Sequence, residues 1–307
     1  MHYLRGMTAL PAFTVLMASR NGAAHLPAQL ASLAAQSHAD WRLWVSDDGS
    51  TDATRALVQD FARDHDVRWI EGPQRGAAAN WMHLLCHADL PSGPVALSDQ
   101  DDIWLPDKLA RASAALARTD APVLYGAGSL HIDEDGTPRG TSPDWPRGPS
   151  FENALVQNVV SGHSTALNAA ALDIVRRASV PQGIAFHDWW LYQLMTGAGA
   201  QVVLDAHPVL HYRQHADNVM GSFRGPLARL RRLGLMLDGT FGGWMAANRA
   251  ALVATGALTP AAEALLETVF NAPSGPARTR ALRRAGVHRQ SRADNAALYA
   301  VAALGRI

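Results

Sequence analysis

Two acidic runs are the residues best equipped for chemistry in this chain. Ser46-Asp47-Asp48-Gly49-Ser50-Thr51-Asp52 lies where a hydrophobic run gives way to a helical pattern, and Ser98-Asp99-Gln100-Asp101-Asp102 follows another apolar run. Ligands of open α/β sheets bind at the carboxyl ends of the strands, so carboxylates placed there face a site. A strand-to-helix turn accounts for 49–52, with Gly49 bending the chain and Ser50 or Thr51 capping the helix. It does not account for Asp47 beside Asp48, which repel each other unless a hydrogen-bond donor or a cation holds them. Three carboxylates within four residues at 99–102 offer the hard oxygen ligands that Mg²⁺ or Mn²⁺ prefers, and such an ion bridges to a diphosphate. A solvated acidic loop is the alternative for 99–102 taken alone, and two acidic strand ends in one series argue against it.

Two later clusters add an acid and a base. In His187-Asp188-Trp189-Trp190 the carboxylate of Asp188 opens a predicted helix, where it is either a general base for a hydroxyl or a first-turn acid matched to the helix dipole. Trp189 and Trp190 are either an exposed apolar platform or core aromatics. In Tyr212-Arg213-Gln214-His215 the planar fork of Arg213 suits a phosphate, and a neutral His215 imidazole can add a nitrogen ligand to a carboxylate-held ion.

The elements that must position these groups follow from periodicity. Strands are predicted over 13–18, 41–46, 67–71 and 95–98, alternating with helices over 25–36, 52–65, 77–87 and 106–117, the pattern of a mostly parallel sheet flanked by helices. Pro106 suits a first helical turn. Helices over 169–177 and 188–195 and a strand over 201–204 follow, and 133–150, rich in Gly, Pro and Asp, reads as a mobile loop. Beyond 221 the pattern is helical, which divides the chain into a catalytic unit over 1–220 and a helical extension over 221–307.

Composition removes several classes of function. A 48% hydrophobic, 18% charged chain of 307 residues is ordinary for a globular protein and excludes disorder and fibrous repeats. A single cysteine, Cys86, leaves no intramolecular disulfide and no multi-cysteine metal site, so a reducing, cytoplasmic setting is expected. No targeting signal or spanning apolar run is visible. The formal net charge is zero, yet 220–307 carries twelve arginines against four acids. That basic tail either keeps a helical segment soluble or meets something anionic. Within it, 226–237 places Leu227, Leu230, Leu233 and Leu237 on one stripe with Arg229, Arg231 and Arg232 outside it. Such a helix either packs on the catalytic body or lies peripherally on an anionic membrane.

At these motifs the sequence resembles the family 2 glycosyltransferases of the GT-A fold, over residues 12–220. Thr14-Val15-Leu16-Met17-Ala18-Ser19-Arg20-Asn21 is similar to that family's first strand and nucleotide loop, 47–52 to its second, and 98–102 to its DxD metal motif. His187-Asp188-Trp189-Trp190 resembles the acceptor-side acidic motif, and 212–215 a motif of bacterial rhamnosyltransferase-like members. The resemblance implies a GT-A nucleotide-diphospho-sugar transferase with a helical C-terminal extension. It implies inverting transfer of a sugar from a uridine or thymidine diphosphate donor to a hydroxyl of a glycan or lipid-linked acceptor, in bacterial surface polysaccharide synthesis. Carried over by residue, Asp47 or Asp48 holds the base or ribose, and Ser19 and Asn21 line the same pocket. Arg75 or Asn80 supplies a further nucleotide contact. Asp99 meets ribose or metal, Asp101 and His215 bind a divalent Mn or Mg ion, and Asp188 is the base. One departure is His163, at a position where many relatives carry a small residue or cysteine.

Rival readings leave more unexplained. Gly162-His163-Ser164-Thr165-Ala166 is one residue short of the nucleophile elbow of an α/β-hydrolase, with Asp205 and His207, His211 or His215 following in order. That reading assigns no role to either acidic run. A non-catalytic sugar- or nucleotide-binding module on the same fold is a second alternative. The sole lysine, Lys108, follows Asp107 and makes no P-loop, no dinucleotide-binding glycine motif follows the first strand, and a basic tail alone does not make a nucleic-acid site.

Overall fold

The computed structural model describes residues 12–178, 180–214 and 233–307. His215 and 226–232 of the basic leucine stripe lie outside these described residues. The expected βα series is present: β1 (Phe13–Ser19), α1 (Leu26–Ala34), β2 (Trp41–Asp47), α2 (Thr54–Phe61), β3 (Val67–Glu71), α3 (Ala77–Leu85), β4 (Val95–Asp99) and α4 (Lys108–Leu116). β1 pairs in parallel with β2 and β4, and β2 with β3. Both faces of these strands are covered, which is why β1 is apolar along its length rather than alternating. Leu16 of β1 enters one core with α3, whereas Phe13, Val15 and Met17 enter the other with Leu26, Leu30 and Leu33 of α1 and Leu109 of α4.

Register then decides what sits at the strand ends. Ser19 is opposite Asp47, and Ala18 is opposite Asp99. β2 and β4 flank β1, so the two acidic runs emerge side by side, two strand spacings or about 10 Å apart.

The second half departs from expectation in its short pieces. A two-residue strand β5 (Ile103–Trp104) pairs antiparallel with the long β9 (Gln201–Arg213), which also lies parallel to β6 (Val123–Ile132). β8 (Ala166–Leu167) bridges β4 and β6. Within the expected loop over 133–150, β7 (Pro138–Thr141) pairs with β6, because Pro138 sits where edge pairing asks no N–H of it. The sheet order is β3-β2-β1-β4-β8-β6-β9-β5, with β7 on β6.

Helices α5 (Phe151–Ala154), α6 (Ala169–Arg177) and α7 (His187–Gly197) cover one face. The C-terminal helices α8 (Thr240–Thr255), α9 (Pro260–Phe270), α10 (Pro276–Arg284) and α11 (Arg292–Ala303) close over α7. Leu252, Leu266, Leu282 and Leu298 share one apolar core with Trp189 and Trp190. Polar ties finish this contact: Arg289 Nε donates to the Val156 carbonyl at 3.0 Å, and Asn153 Nδ2 to the His288 carbonyl at 3.0 Å. Among the described residues no helix is long and apolar enough to cross a membrane.

Candidate active site

The mouth of the sheet is built by side chains that hold turns. Gln100 folds across the end of β1, its Oε1 accepting from Ser19 Oγ at 2.7 Å and from Arg20 N at 3.0 Å. Asn21 has a φ of 47°, a left-handed conformation that asparagine tolerates. Its Oδ1 accepts from Thr51 N at 2.8 Å and its N–H donates to Ser50 Oγ at 2.7 Å. Ser50 in turn donates to Asp47 through N–H (2.8 Å) and Oγ (2.5 Å). Asp47 is therefore spent on its own turn. Asp48 is buried, with Oδ2 accepting from Gly76 N at 2.8 Å, while its buried Oδ1 has no hydrogen-bond partner. Gly76 makes this possible with a φ of 87° that puts its N–H on the carboxylate. Asn80 ties α3 to β2, accepting from Ser46 Oγ at 2.5 Å and donating to the Ser46 carbonyl at 2.9 Å. Arg75 is exposed next to Gly76.

At the end of β4 lies a largely buried charged cluster. Asp99, Asp102 and His163, from the 3₁₀ turn Gly162–Ser164, bring one donor atom each within 4.8 Å of one another. Lys108 at the start of α4 is buried beside them, its Nζ donating to the His163 carbonyl at 2.5 Å and lying 3.4 Å from the centre of the Trp104 ring. Burial, then the charges of Asp101 and Asp188, pushes Asp99 up to about 7. Burial with Asp101 and Asp99 drives Asp102 well above the usual carboxylate range. Burial likewise lowers the Lys108 ammonium well below its ordinary value, against the pull of Asp102 and Asp99. His163 falls to about 3 through burial and the nearby Lys108, so its imidazole is neutral. Its ring stacks on Tyr212 with centres 4.6 Å apart. Asp102 Oδ2 and His163 Nε2 are buried with no hydrogen-bond partner. Gln29, wholly buried in α1, supports the turn from behind. In the amide orientation that satisfies its neighbours, it donates to the Asp102 carbonyl at 2.7 Å and accepts from Ser98 Oγ at 2.7 Å.

Asp188 sits in the first turn of α7 and its charge reaches Asp99. Its Oδ2 accepts from Gly162 N at 3.1 Å and its Oδ1 from Trp189 N at 2.7 Å. Its place as a first-turn acid and the base role expected for it are thus compatible in one geometry. Asp101 shares the acidic turn but lies outside the three-atom cluster.

Three expectations need correction. Trp189 is 5% exposed and Trp190 is wholly buried, Trp189 stacking on Phe241, so neither offers a face to an acceptor sugar. The Arg213 guanidinium donates to the main-chain carbonyls of Asp101, Asp133 and Glu134 at 3.3, 3.4 and 2.8 Å. Here it straps the acidic turn to the β6–β7 hairpin instead of presenting an open fork. Ser164 is buried, accepting from Ala127 N and donating to the Ser161 carbonyl, and Asp205 is gripped by Arg111 and Tyr125. Among the described residues, these contacts leave Ser164 no free nucleophile and Asp205 no relay role.

In the sequence Asp102 stands out only as one member of the acidic run, and Lys108 and His163 carry no expected site role. Two signals pointed to them: Lys108 is the sole lysine beside 26 arginines, and His163 departs from its relatives.

A mostly parallel sheet whose acidic strand ends converge on one mouth is the architecture of GT-A transferases, and solved structures bear this out. S. aureus TarS 1-349 in complex with UDP-GlcNAc matches with a TM-score of 0.56 at 14% identity, covering 90% of this chain and 82% of that one. The mannosyltransferase PcManGT from Pyrobaculum calidifontis, in complex with GDP-Man and Mn²⁺, matches with a TM-score of 0.53 at 21% identity, covering 91% and 87%. Residues 14–173, more than half of the chain, match glycosyl transferase family 2. The chain belongs to this family and is a glycosyltransferase. It is 27% identical over 230 residues to the dTDP-rhamnosyl transferase RfbG of Shigella flexneri, spanning 72% of this chain and 78% of that protein. It is 31% identical over 114 residues to the UDP-Glc:alpha-D-GlcNAc-diphosphoundecaprenol beta-1,3-glucosyltransferase WfgD of Escherichia coli, spanning 37% of this chain and 44% of that protein.

The raised Asp99 carboxyl predicts a pH dependence. From the ordinary carboxylate range up to about 7 the folded state holds a proton that the unfolded chain has released, so this group withdraws stability as pH rises through that window. Asp99→Asn removes the effect. In calorimetric unfolding the variant should gain on the wild type between about pH 4 and pH 7, and a constant difference across that range would contradict the assignment.

Proposed function

We propose that this glycosyltransferase moves a sugar from a uridine or thymidine diphosphate donor to a hydroxyl of a glycan or lipid-linked acceptor, in a single displacement that inverts the anomeric centre. The observation that carries the proposal is the convergence of the Asp48, Asp99–Asp102 and Asp188 carboxylates at one sheet mouth. The names of RfbG and WfgD, which carry dTDP-rhamnosyl and UDP-Glc, support the two nucleotides.

The unpartnered Asp48 Oδ1 is the group proposed to accept from the base or ribose of the donor, with Ser19 and Asn21 shaping that pocket through Gln100 and Ser50. Arg75 is exposed beside Gly76, whose N–H holds Asp48, and Asn80 acts by fixing β2 against α3. A divalent Mn or Mg ion fits the acidic turn by its donor chemistry: two carboxylates and a neutral imidazole cluster there, with Asp102 Oδ2 and His163 Nε2 buried and unpaired. Asp101 borders that set, and His215 enters the proposal from the sequence alone. A bound cation supplies Lewis-acid neutralisation of the leaving diphosphate. Asp188, held in orientation by two N–H donors, takes the proton of the attacking hydroxyl.

Acceptor delivery from a membrane surface fits the same proposal. Arg280, Arg283 and Arg284 are exposed, and helical spacing puts them on the side of α10 opposite the buried Leu282. Leu233 and Leu237, from the basic leucine stripe, are exposed as well.

Two experiments test these assignments. Asp188→Asn keeps the size of the side chain and loses the basic oxygen. Its transfer rate should fall by roughly 10²- to 10⁴-fold while calorimetry finds dTDP or UDP bound as before, and near-normal turnover would remove Asp188 from the role. Vesicles containing phosphatidylglycerol should capture the protein at low salt and release it as salt screens the arginines. Equal recovery on pure phosphatidylcholine would leave the basic helices as packing elements.

A further inference from the structure

Gly162 lies where the 3₁₀ turn meets the start of α7, and no side chain fits there. A Cβ at this position would stand 2.8 Å from His187 Nε2, 3.2 Å from His187 Cε1 and 3.5 Å from Asp188 Cβ. The imidazole is backed on one face. It stacks on Trp81 of α3 with ring centres 4.8 Å apart and planes 20° from parallel, and Trp81 is itself 2% exposed. His187 Nε2 is buried with no hydrogen-bond partner, so the ring serves by its shape and place rather than by a bond at that nitrogen.

The close approach has a consequence for the carboxylate next door. Because nothing projects from Gly162, its backbone comes near enough for its N–H to donate to Asp188 Oδ2 at 3.1 Å. The other oxygen takes the Trp189 N–H at 2.7 Å. We propose that Gly162 and His187 are positioning residues for the acceptor-side base: the bare glycine lets the 3₁₀ turn close on α7, and the Trp81-backed His187 ring is the stop that sets how far. The inference rests on Asp188 being that base. Neither residue need touch substrate. Adding one methyl at 162 forces the turn away from α7, takes the N–H off Oδ2 and lets the carboxylate rotate about its remaining bond.

The pairing makes a test that a merely structural glycine would fail. Gly162→Ala, His187→Ala, the double variant and Asp188→Asn are compared in the full-length enzyme, using whichever of dTDP-rhamnose and UDP-glucose the wild type turns over and reading nucleoside diphosphate release. Misplacing a reacting group by about 1 Å costs on the order of 10²-fold. Gly162→Ala should therefore lose roughly 10- to 100-fold in kcat, with the donor KM little changed and thermal unfolding still cooperative. Removing the ring makes room for the methyl, so the double variant should recover much of the kcat lost by Gly162→Ala. Crystal structures give a readout that needs no substrate, since the residue 162 N to Asp188 Oδ2 contact should open beyond hydrogen-bond reach in Gly162→Ala and close again in the double variant. A Gly162→Ala enzyme with normal kcat and an intact contact, or a double variant no better than the single, would overturn the proposal. If Asp188→Asn were fully active, the base assignment would fall; if only the Gly162 variants behaved normally, the positioning claim alone would fall.

Discussion

Buried like charge is the constraint around which this molecule is organised. Asp99 and Asp102 lie within a few ångströms of each other, Asp101 and Asp188 add their fields, and among the described residues the buried Lys108 is a cation whose charge opposes theirs. Desolvating several carboxylates together is unfavourable, and the pocket answers by holding protons that carboxylates ordinarily release. The proposed function places a divalent cation at this cluster, where its charge would add to that of Lys108. His163 belongs to the same balance: kept neutral by burial, it contributes a lone pair without adding positive charge that would compete.

The fold keeps this pocket in place with elements far apart in sequence. Gln29 of α1 braces the turn from behind, Lys108 opens α4, His163 comes from the 3₁₀ turn before β8, and the β5–β9 pairing closes the turn at Ile103 and His211. Parallel register places Asp47 and Asp99 on either side of β1. On the acceptor side, α7 is backed by the C-terminal helices through Trp189 on Phe241 and Phe186 on Trp244. Those helices thus bear on the geometry of Asp188 without approaching the chemistry.

Much of the first half was legible in the sequence because its signals are local. Long apolar runs followed by amphipathic helices define β1–β4 and α1–α4, and acids at strand ends mark the mouth. The second half resisted for physical reasons. β5 and β8 are two residues each and exist only through partners: Ile103 pairs with His211, and Ala166 with Ala96 and Tyr125. The roles of Lys108 and His163 depend on the same long-range contacts. Trp189 and Trp190 beside an acid look like a sugar platform in a linear string. Helix geometry and the C-terminal cover turn them inward, and no local pattern reports that cover. Arg213 misleads similarly, since a fork suited to phosphate also fits three backbone carbonyls.

The proposed function has nucleotide binding bring a divalent cation to the acidic turn after β4. Crystals grown with Mn²⁺ and dTDP or UDP, with data collected at the manganese absorption edge, test it directly. The account predicts an anomalous peak in coordination contact with carboxylates of 99–102 and with the diphosphate. Nucleoside diphosphate bound at the sheet mouth with no manganese at that turn would contradict it.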